Sequence, residues 1–317
     1  MVTEYSDESK SWRTTQRKPI KIVVESTISH VALLDDGQQF VGGDKNGKIR
    51  RWQMGDGVEV GAPIGVGSAV CCLATSQDGK WVAAGTESGR VSVWDAESQK
   101  GLTWFAREKS ANSVDVSSDG AKIAIAWDDK YVDVYPLPDG KMLCGWQNCD
   151  FHAVKFSPDG CLFACGAEHG DSSFLCIYNI RGNKMLGGWR ISVRSVAWTS
   201  DSKQLFVLSS DGNIHWIDPY SRTTLSQWPI HSDINPTCIS LSSNGAFIAA
   251  SANSSVSFWD ASTHEQIGFV IYHPHSVNSM AVSQNNELVF AGNSTIALWD
   301  LCNVLTAPYI NDQVGGS

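Results

Sequence analysis

The chain has 317 residues, of which 42% are hydrophobic and 18% are charged. The apolar content is enough for a large core, and the charged fraction lies below the roughly 25% of an average soluble protein, so a disordered chain is excluded. The formal net charge of −9 at pH 7 excludes a protein whose overall charge attracts it to nucleic acid or to an anionic membrane.

The first 18 residues, MVTEYSDESKSWRTTQRK, mix acids with bases and contain no apolar core of a secretory signal peptide. We expect residues 1–18 to form a flexible tail and residues 313–317 a flexible C-terminus. No segment approaches the roughly 18 consecutive apolar residues of a membrane-spanning helix. The nine cysteines are odd in number and show no CxxC spacing. These features predict a cytoplasmic protein with free cysteines, with the nucleus as the second choice of location.

Two markers recur along the rest of the chain. One is a turn of the form Ser-x-Asp-Gly, repeated every 40 to 43 residues, which ends at Gly37, Gly79, Gly120, Gly160, Ser202, Gly245 and Asn286. The other is an alternating apolar run, repeated every 39 to 43 residues, which ends at Trp52, Trp94, Tyr135, Tyr178, Ile217, Trp259 and Trp299. Because both markers count seven copies, the chain is predicted to consist of seven similar supersecondary units.

The second copy shows what one unit contains. Val70–Thr75 and Lys80–Gly85 are apolar runs separated by a polar turn, and Arg90–Trp94 alternates between polar and apolar residues. The segment around Trp104 follows a further turn and forms a fourth strand. Each unit is therefore predicted to be a four-stranded antiparallel meander, and no segment has the pattern of a long helix.

The segments VSVWD (91–95), VSFWD (256–260) and IALWD (296–300) resemble WD40 repeats, and the resemblance covers about residues 20–312. It implies an all-β fold, a seven-bladed β-propeller of four-stranded antiparallel blades that spans residues 19–312. The last two blades also resemble propellers attached to fungal NACHT-type signalling ATPases.

One feature departs from the family pattern. WD40 blades typically carry a Gly-His pair before the first strand and an Asp between the second and third strands, which join a Ser or Thr and the Trp in a buried polar network. Here only Asp211 and Asp129 match the Asp, and His273 alone lies near the usual place of the His. We therefore expect the network to be missing from most blades, and apolar and aromatic packing between blades to supply most of the stability.

Ring closure can be predicted from the spacing of the repeats. After Trp299-Asp300 the chain contains Pro308 and no further polar turn, so it makes a poor fourth strand. A shift of 249 residues superposes Ile20–Val23 on Phe269–Tyr272, and both segments precede a first strand. The N-terminal segment 20–25 is therefore predicted to complete the seventh blade and close the ring.

No catalytic, cofactor-binding or metal-binding motif is present. The glycine-rich segment 61–67, GAPIGVG, lacks the glycine order of a dinucleotide-binding loop and is not followed by a helix. His273 and His275 are separated by a proline and have no cysteine or carboxylate nearby, which favours a loop over a metal site. We predict no enzymatic activity, no cofactor and no metal.

In the family, partners dock most often on the face built from the loops that lead into first strands and from the turns between second and third strands. Blades three to five differ from the others on that face, since Trp127 stands there near acids and bases, a composition typical of binding hot spots. The predicted partner-binding residues are Trp127, Asp128, His152, Arg194, Glu168, Lys45 and Glu87. The other interpretation of Trp127 is that it packs between blades.

Blade four also has two extra residues within 168–171, and such insertions often lie on a binding face.

These observations predict a non-catalytic protein–protein interaction scaffold or recruitment module that binds a protein or peptide, not nucleic acid or membrane, as a monomer or as a subunit of a larger complex. The alternative is a carbohydrate-binding or small-molecule-binding propeller, because the chain has 13 tryptophans. Four of them recur 10 or 11 residues after the third-strand marker, which predicts packing in outer strands and argues against that alternative: Trp104, Trp146, Trp189 and Trp228.

Overall fold

The computed structural model describes residues 19–34, 37–137, 140–147, 149–230, 235–306 and 309–310. The predicted flexible ends, residues 1–18 and 313–317, lie outside the described residues. The described part of the chain forms 28 β-strands in seven sheets, each of four antiparallel strands. This confirms the predicted all-β propeller with seven four-stranded blades.

The strands of each blade follow one another from the centre of the ring outward. The first strands are β2 (Ile28–Leu34), β6 (Val70–Thr75), β10 (Ala111–Val116), β14 (Asp150–Phe156), β18 (Val193–Trp198), β22 (Pro236–Leu241) and β26 (Ser279–Val282). The second strands are β3 (Gln39–Asp44), β7 (Trp81–Thr86), β11 (Lys122–Trp127), β15 (Leu162–His169), β19 (Leu205–Ser209), β23 (Phe247–Ala252) and β27 (Glu287–Gly292). Each first strand contacts the first strands of both neighbouring blades, so these strands line the centre.

The remaining strands form the outer half of each blade. The third strands are β4 (Lys48–Gln53), β8 (Arg90–Asp95), β12 (Tyr131–Pro136), β16 (Ser172–Asn179), β20 (Asn213–Asp218), β24 (Ser255–Asp260) and β28 (Thr295–Asp300). The outer strands are β5 (Ile64–Gly65), β9 (Gly101–Ala106), β13 (Cys144–Gln147), β17 (Lys184–Trp189), β21 (Thr223–Pro229), β25 (Gln266–Tyr272) and, for blade seven, β1 (Ile20–Val23). A short 3-10 helix, Leu301–Asn303, follows β28. The described residues include no helix long and apolar enough to cross a membrane.

The central residues of the second strands are mostly apolar and buried, because both faces of each blade are covered by a neighbouring blade. In β23 every residue is buried. Small residues are needed where the next blade approaches most closely. A Cβ added at Gly43 would lie 2.5 Å from Val70 of blade two, and a Cβ at Gly166 would lie 2.8 Å from Val193 of blade five. Glycine at these positions therefore sets the spacing between blades.

Hydrogen bonds also join neighbouring first strands. The Ser113 hydroxyl accepts from the Val154 backbone N–H at 3.1 Å, and the Ser195 hydroxyl accepts from Ile239 at 3.2 Å. The same contact closes the ring, because the Val31 N–H of blade one donates to the hydroxyl of Ser279 in blade seven at 3.2 Å. Each bond satisfies a backbone donor at the inner edge of a sheet, which would otherwise be left without a partner.

Aromatic rings from outer strands pack against the following blade. Phe105 stacks on Tyr135 of blade three at 4.4 Å between ring centroids, Trp146 lies 4.2 Å from Tyr178 of blade four, and Trp228 stacks on His264 of blade six at 3.9 Å. Such pairs add stabilisation beyond the apolar area that they bury. Aromatic packing between blades is therefore present, as the sequence predicts.

The N-terminal strand closes the ring in the predicted register. β1 pairs with β28, with Ile22 opposite Ile296, and in blade six Ile271 stands at the matching position opposite Val256. The C-terminal segment forms no strand over its described residues. It packs instead against blade six, where Leu305 is buried and the Tyr309 hydroxyl donates to the Asp260 carboxylate at 2.8 Å.

Removing residues 1–26 deletes β1, exposes the edge of β28 and uncovers apolar side chains of blade seven. Losing the partly buried apolar residues of this strand should cost about 5 kcal/mol. For a domain of about 300 residues, this corresponds to a fall in Tm of roughly 8 °C. Thermal unfolding followed by circular dichroism measures it, and removal of residues 1–17 is the control. Equal Tm values for the two truncations would contradict closure by β1.

All nine cysteines are free thiols. A reducing agent should therefore change the Tm by less than about 1 °C, since a native disulfide typically contributes about 2–4 kcal/mol. Differential scanning fluorimetry with and without dithiothreitol tests this, and a clear loss of stability on reduction would show a disulfide that the structure does not contain.

Candidate partner-binding face

Six of the seven first strands contain a β-bulge close to their beginning. A bulge leaves one residue out of the hydrogen-bonded ladder and turns its side chain away from the regular alternation. The residues at these bulges are Ser29, Cys71, Asn112, His152, Arg194 and Thr237. We call the side of the ring that carries these bulges, together with the turns between second and third strands, the bulge face.

A central cavity of about 530 Å³ opens between the first strands. Arg194, Thr237 and Asn278 line it near the bulge face. Asn278 is also a brace, since its side-chain amide donates to the Ile28 carbonyl of blade one at 3.0 Å. The mouth of the cavity is therefore edged by polar side chains that differ from blade to blade.

The wall of the cavity carries an ion pair between a buried acid and a half-exposed lysine. The Asp115 carboxylate is 3% exposed and accepts from the Lys155 ammonium at 2.7 Å and from the Phe156 backbone N–H at 2.8 Å. Burial raises the pKa of Asp115, while Lys155 opposes that rise. Burial, with a smaller contribution from the charge of Lys155, lowers the pKa of His30 to about 4. The imidazole of His30 is therefore neutral at pH 7. The Asp115–Lys155 pair joins blade three to blade four.

Four of the predicted residues form two ion pairs on the bulge face. Lys45 and Glu87 join blades one and two at 2.8 Å, with side chains about half exposed at 49% and 54%. His152 Nε2 and Glu168 Oε2 are 3.6 Å apart within blade four. Exposed pairs of this kind contribute roughly 0–1 kcal/mol to stability. Their charges are therefore accessible to a partner at little cost to the fold.

Asp128 and Arg194 are exposed, and neither is in an ion pair with a described residue. Arg194 is the bulge residue of blade five and lines the mouth of the cavity. A guanidinium with five donors and no ion-pair partner is suited to bind a partner carboxylate.

The extra residues of blade four extend the adjacent hairpin, in which β15 and β16 are each eight residues long.

Trp127 is not on the surface, so its prediction as a contact residue is wrong. Its indole is fully buried between blades two and three, and its Nε1 donates to the Asp133 carboxylate at 3.0 Å. Arg107, from the loop that leads into β10, also donates to Asp133 at 2.8 Å and lies 5.7 Å from the Trp127 ring. Tyr135 supplies another donor to the same oxygen at 3.1 Å. Trp127 therefore has the structural role that the other interpretation predicts.

Blade three thus keeps a buried polar network with residue types that depart from the family pattern. Arg107 takes the place of the usual His, and Asp133 of the third strand accepts its bonds. Blade five has a second network, in which the Ser209 hydroxyl contacts the Asp211 carboxylate and the His215 ring nitrogen. Sequence reasoning identified Asp211 and also Asp129, whose carboxylate accepts from Arg107 at 3.0 Å. It missed Arg107 and Asp133, because neither matches the family motif.

Trp104 is a second departure from the predictions. It lies in outer strand β9 as predicted, but it is 62% exposed and does not pack into the next blade. Phe105 takes that role. It stands opposite Val91 of the third strand. In blade three, Trp146 stands opposite Val132, which is the residue equivalent to Val91. Trp104 follows its marker by 10 residues, whereas the other three tryptophans follow theirs by 11. Because successive side chains of a strand point to opposite faces, this difference of one residue indicates that Trp104 points to the opposite face of the sheet.

Among the described residues, no group of three or more His, Cys, Asp or Glu is arranged to hold a metal ion. His273 and His275 lie in a loop, where the Nδ1 of His273 is 2.8 Å from the backbone oxygen of His275. This geometry agrees with the loop interpretation of the two histidines.

Replacing Trp127 by Ala should lower the free energy of unfolding by about 3–5 kcal/mol, because a large buried ring leaves a cavity and Asp133 loses a donor. Urea denaturation at pH 7 measures the effect. Trp104→Ala is the matched control and should change stability by less than about 1 kcal/mol, since the side chain is already exposed. Similar stability losses in both variants would contradict the assigned positions.

Comparisons with known proteins agree with this geometry. The family model described as WD domain, G-beta repeat matches residues 62–95 and 266–300, and the model of the anaphase-promoting complex subunit 4 WD40 domain matches residues 177–244. The β-propeller domain of Cps50 (Swd1) from Myceliophteria thermophila, a crystal structure, superposes with a TM-score of 0.77 at 14% identity, covering 89% of this chain and 99% of that one.

Relatives among characterised proteins match at 24–26% identity. Protein ROOT INITIATION DEFECTIVE 3 of Arabidopsis thaliana is 26% identical over 236 residues, which is 67% of this chain and 52% of that protein. WD repeat-containing protein 1 of Gallus gallus is 24% identical over 321 residues, or 80% of this chain and 51% of that protein. The chain spans about half the length of these two relatives. The chain is therefore a seven-bladed β-propeller that contains WD40 repeats.

Proposed function

We propose that this chain is a non-catalytic protein-interaction module that binds a protein or peptide partner on its bulge face and serves as a scaffold or recruitment subunit. The presence of WD40 repeats supports an interaction role. The observation that carries the choice of face is the set of six bulges, which release six different residues from their ladders. Two of these residues, Arg194 and Thr237, also line the central cavity.

The bulge face combines a fixed backbone with variable side chains. The first strands are held on both sides by neighbouring first strands and by side-chain hydrogen bonds such as that of Ser113, so the bulge residues need little ordering when a partner binds. Binding to a preorganised surface loses less conformational entropy than binding to a mobile loop. A rigid rim with different side chains can therefore select one partner and one orientation.

The sector formed by blades three to five has the most distinctive charge pattern on this face. Asp128 is exposed on blade three, the His152–Glu168 pair lies on blade four, and the Arg194 guanidinium is exposed on blade five. We propose that Arg194 binds a carboxylate of the partner and that Asp128 faces a basic group. Trp127 contributes by supporting the sector from inside the ring and does not touch the partner.

Replacing Thr237, the neighbouring bulge residue on blade six, by a photoreactive benzoylphenylalanine leaves Arg194 in place and should yield a discrete cross-linked protein when the propeller is irradiated in a cell extract. The same replacement at Arg181, which is exposed in the turn after β16 on the opposite face, is the control and should not give that product. With the captured partner purified, Arg194→Ala should weaken binding about tenfold or more, since charge-assisted hydrogen bonds contribute roughly 1.5–3 kcal/mol. Equal cross-linking from both positions, or unchanged affinity in Arg194→Ala, would refute the proposal.

A further inference from the structure

A groove lies at the outer edge of the ring between blades one and two. Its volume is about 390 Å³, and it is separate from the central cavity. Blade one contributes residues 65–67, and blade two contributes Arg90, Ser92, Trp94 and the outer-strand residues 101–104. We call this feature the Trp104 groove.

The groove exists because blade one has an unusually short outer strand. β5 has two residues, whereas the other outer strands have four to seven. A Cβ added at Gly65 or at Gly67 would meet no atom within 4 Å. Blade one therefore leaves open the space that a longer strand with side chains would fill, and Trp104 faces that space because of its register.

Two exposed groups define the chemistry of the groove. The Trp104 side chain is 62% exposed, and the Arg90 guanidinium lies 5.2 Å from the centre of its ring. Arg90 forms no ion pair with any residue in the described part of the chain. It is also the only charged residue among those that line the groove. The groove therefore carries a single positive charge beside a large apolar surface, on a protein with a net charge of −9.

We propose that the Trp104 groove binds an extended acidic segment of a partner protein. A carboxylate of that segment pairs with Arg90, and an apolar side chain next to it packs on the open part of Trp104. Tryptophan and arginine are the residue types most enriched at binding hot spots, and a guanidinium held against an aromatic ring is already positioned for a bidentate bond to carboxylate.

The form and charge of the occupant follow from the lining. Glycines along one wall let an extended backbone approach closely, because Gly65 and Gly67 have open space where a side chain would stand. One cation with no acid nearby attracts a carboxylate but is too little charge to hold a nucleic acid, whose binding needs several phosphate contacts. A sugar ring could also stack on an exposed tryptophan, and this occupant is one outcome of the test below.

A random 12-residue peptide library displayed on phage, selected against the whole chain, tests the proposal. The selected peptides should share a motif of one or more acids beside an aromatic or aliphatic residue. A synthetic peptide of that motif, followed by fluorescence anisotropy, should bind at least tenfold more weakly to Trp104→Ala and to Arg90→Gln, and more weakly at high salt.

Tyr272→Ala is the matched control, because Tyr272 is an exposed aromatic residue on the outer strand of blade six and is 75% exposed. This variant and Arg194→Ala should bind the peptide as the wild type does, which separates the groove from the bulge face. Melting temperatures within about 2 °C would show that all variants are folded.

Three results would overturn the proposal. One is a selection that yields no peptide dependent on Trp104, and another is a Trp104-dependent motif that is basic or uncharged. The third is binding on a glycan array that Trp104→Ala abolishes while acidic peptides fail to bind, which would assign the groove to a sugar.

Discussion

The constraint on which the ring depends is the alternation of side chains along each strand. Because both faces of every blade are covered by neighbours, each side chain in the ladder must fit the blade before it or the blade after it. Three kinds of contact follow this rule. Glycines leave room for Val70 and Val193 of the next blade, serines accept hydrogen bonds from a neighbouring blade, and aromatic rings of outer strands stack on the following blade. A change of one residue in register moves a side chain from one neighbour to the other.

The same constraint separates residues that can bind a partner from residues that cannot. Trp127 is the last residue of β11 and remains in the ladder opposite Tyr131, so its indole has to enter the space between blades two and three. Arg194 stands at a bulge, is released from the ladder and is exposed. Both lie at the bulge face and both have residue types of hot spots, yet backbone pairing alone decides that only one of them is accessible.

Much of the fold could be predicted from the sequence because its signals are local and repeated. Two independent markers count the blades, and the match of Ile20–Val23 with Phe269–Tyr272 predicts the register of closure that β1 and β28 adopt. The candidate site could be predicted only in part. Trp127 contacts Arg107 and Asp133, and both of these residues lie outside the family motif, so no local pattern reports this network. The exposure of Trp104 could be predicted from its spacing of 10 residues after Trp94. The groove beside it could not, because that groove depends on the short strand β5 of blade one.

The two proposed sites differ in how they arise. The bulge face uses positions that the blades repeat, so its specificity comes from variation around a common geometry. The Trp104 groove arises from irregularities confined to one junction, a shortened strand in blade one and a shifted tryptophan in blade two. The sites share no residue, and changes at separate sites without shared partners usually act additively. We therefore expect a partner on the bulge face and a partner in the Trp104 groove to bind independently of each other.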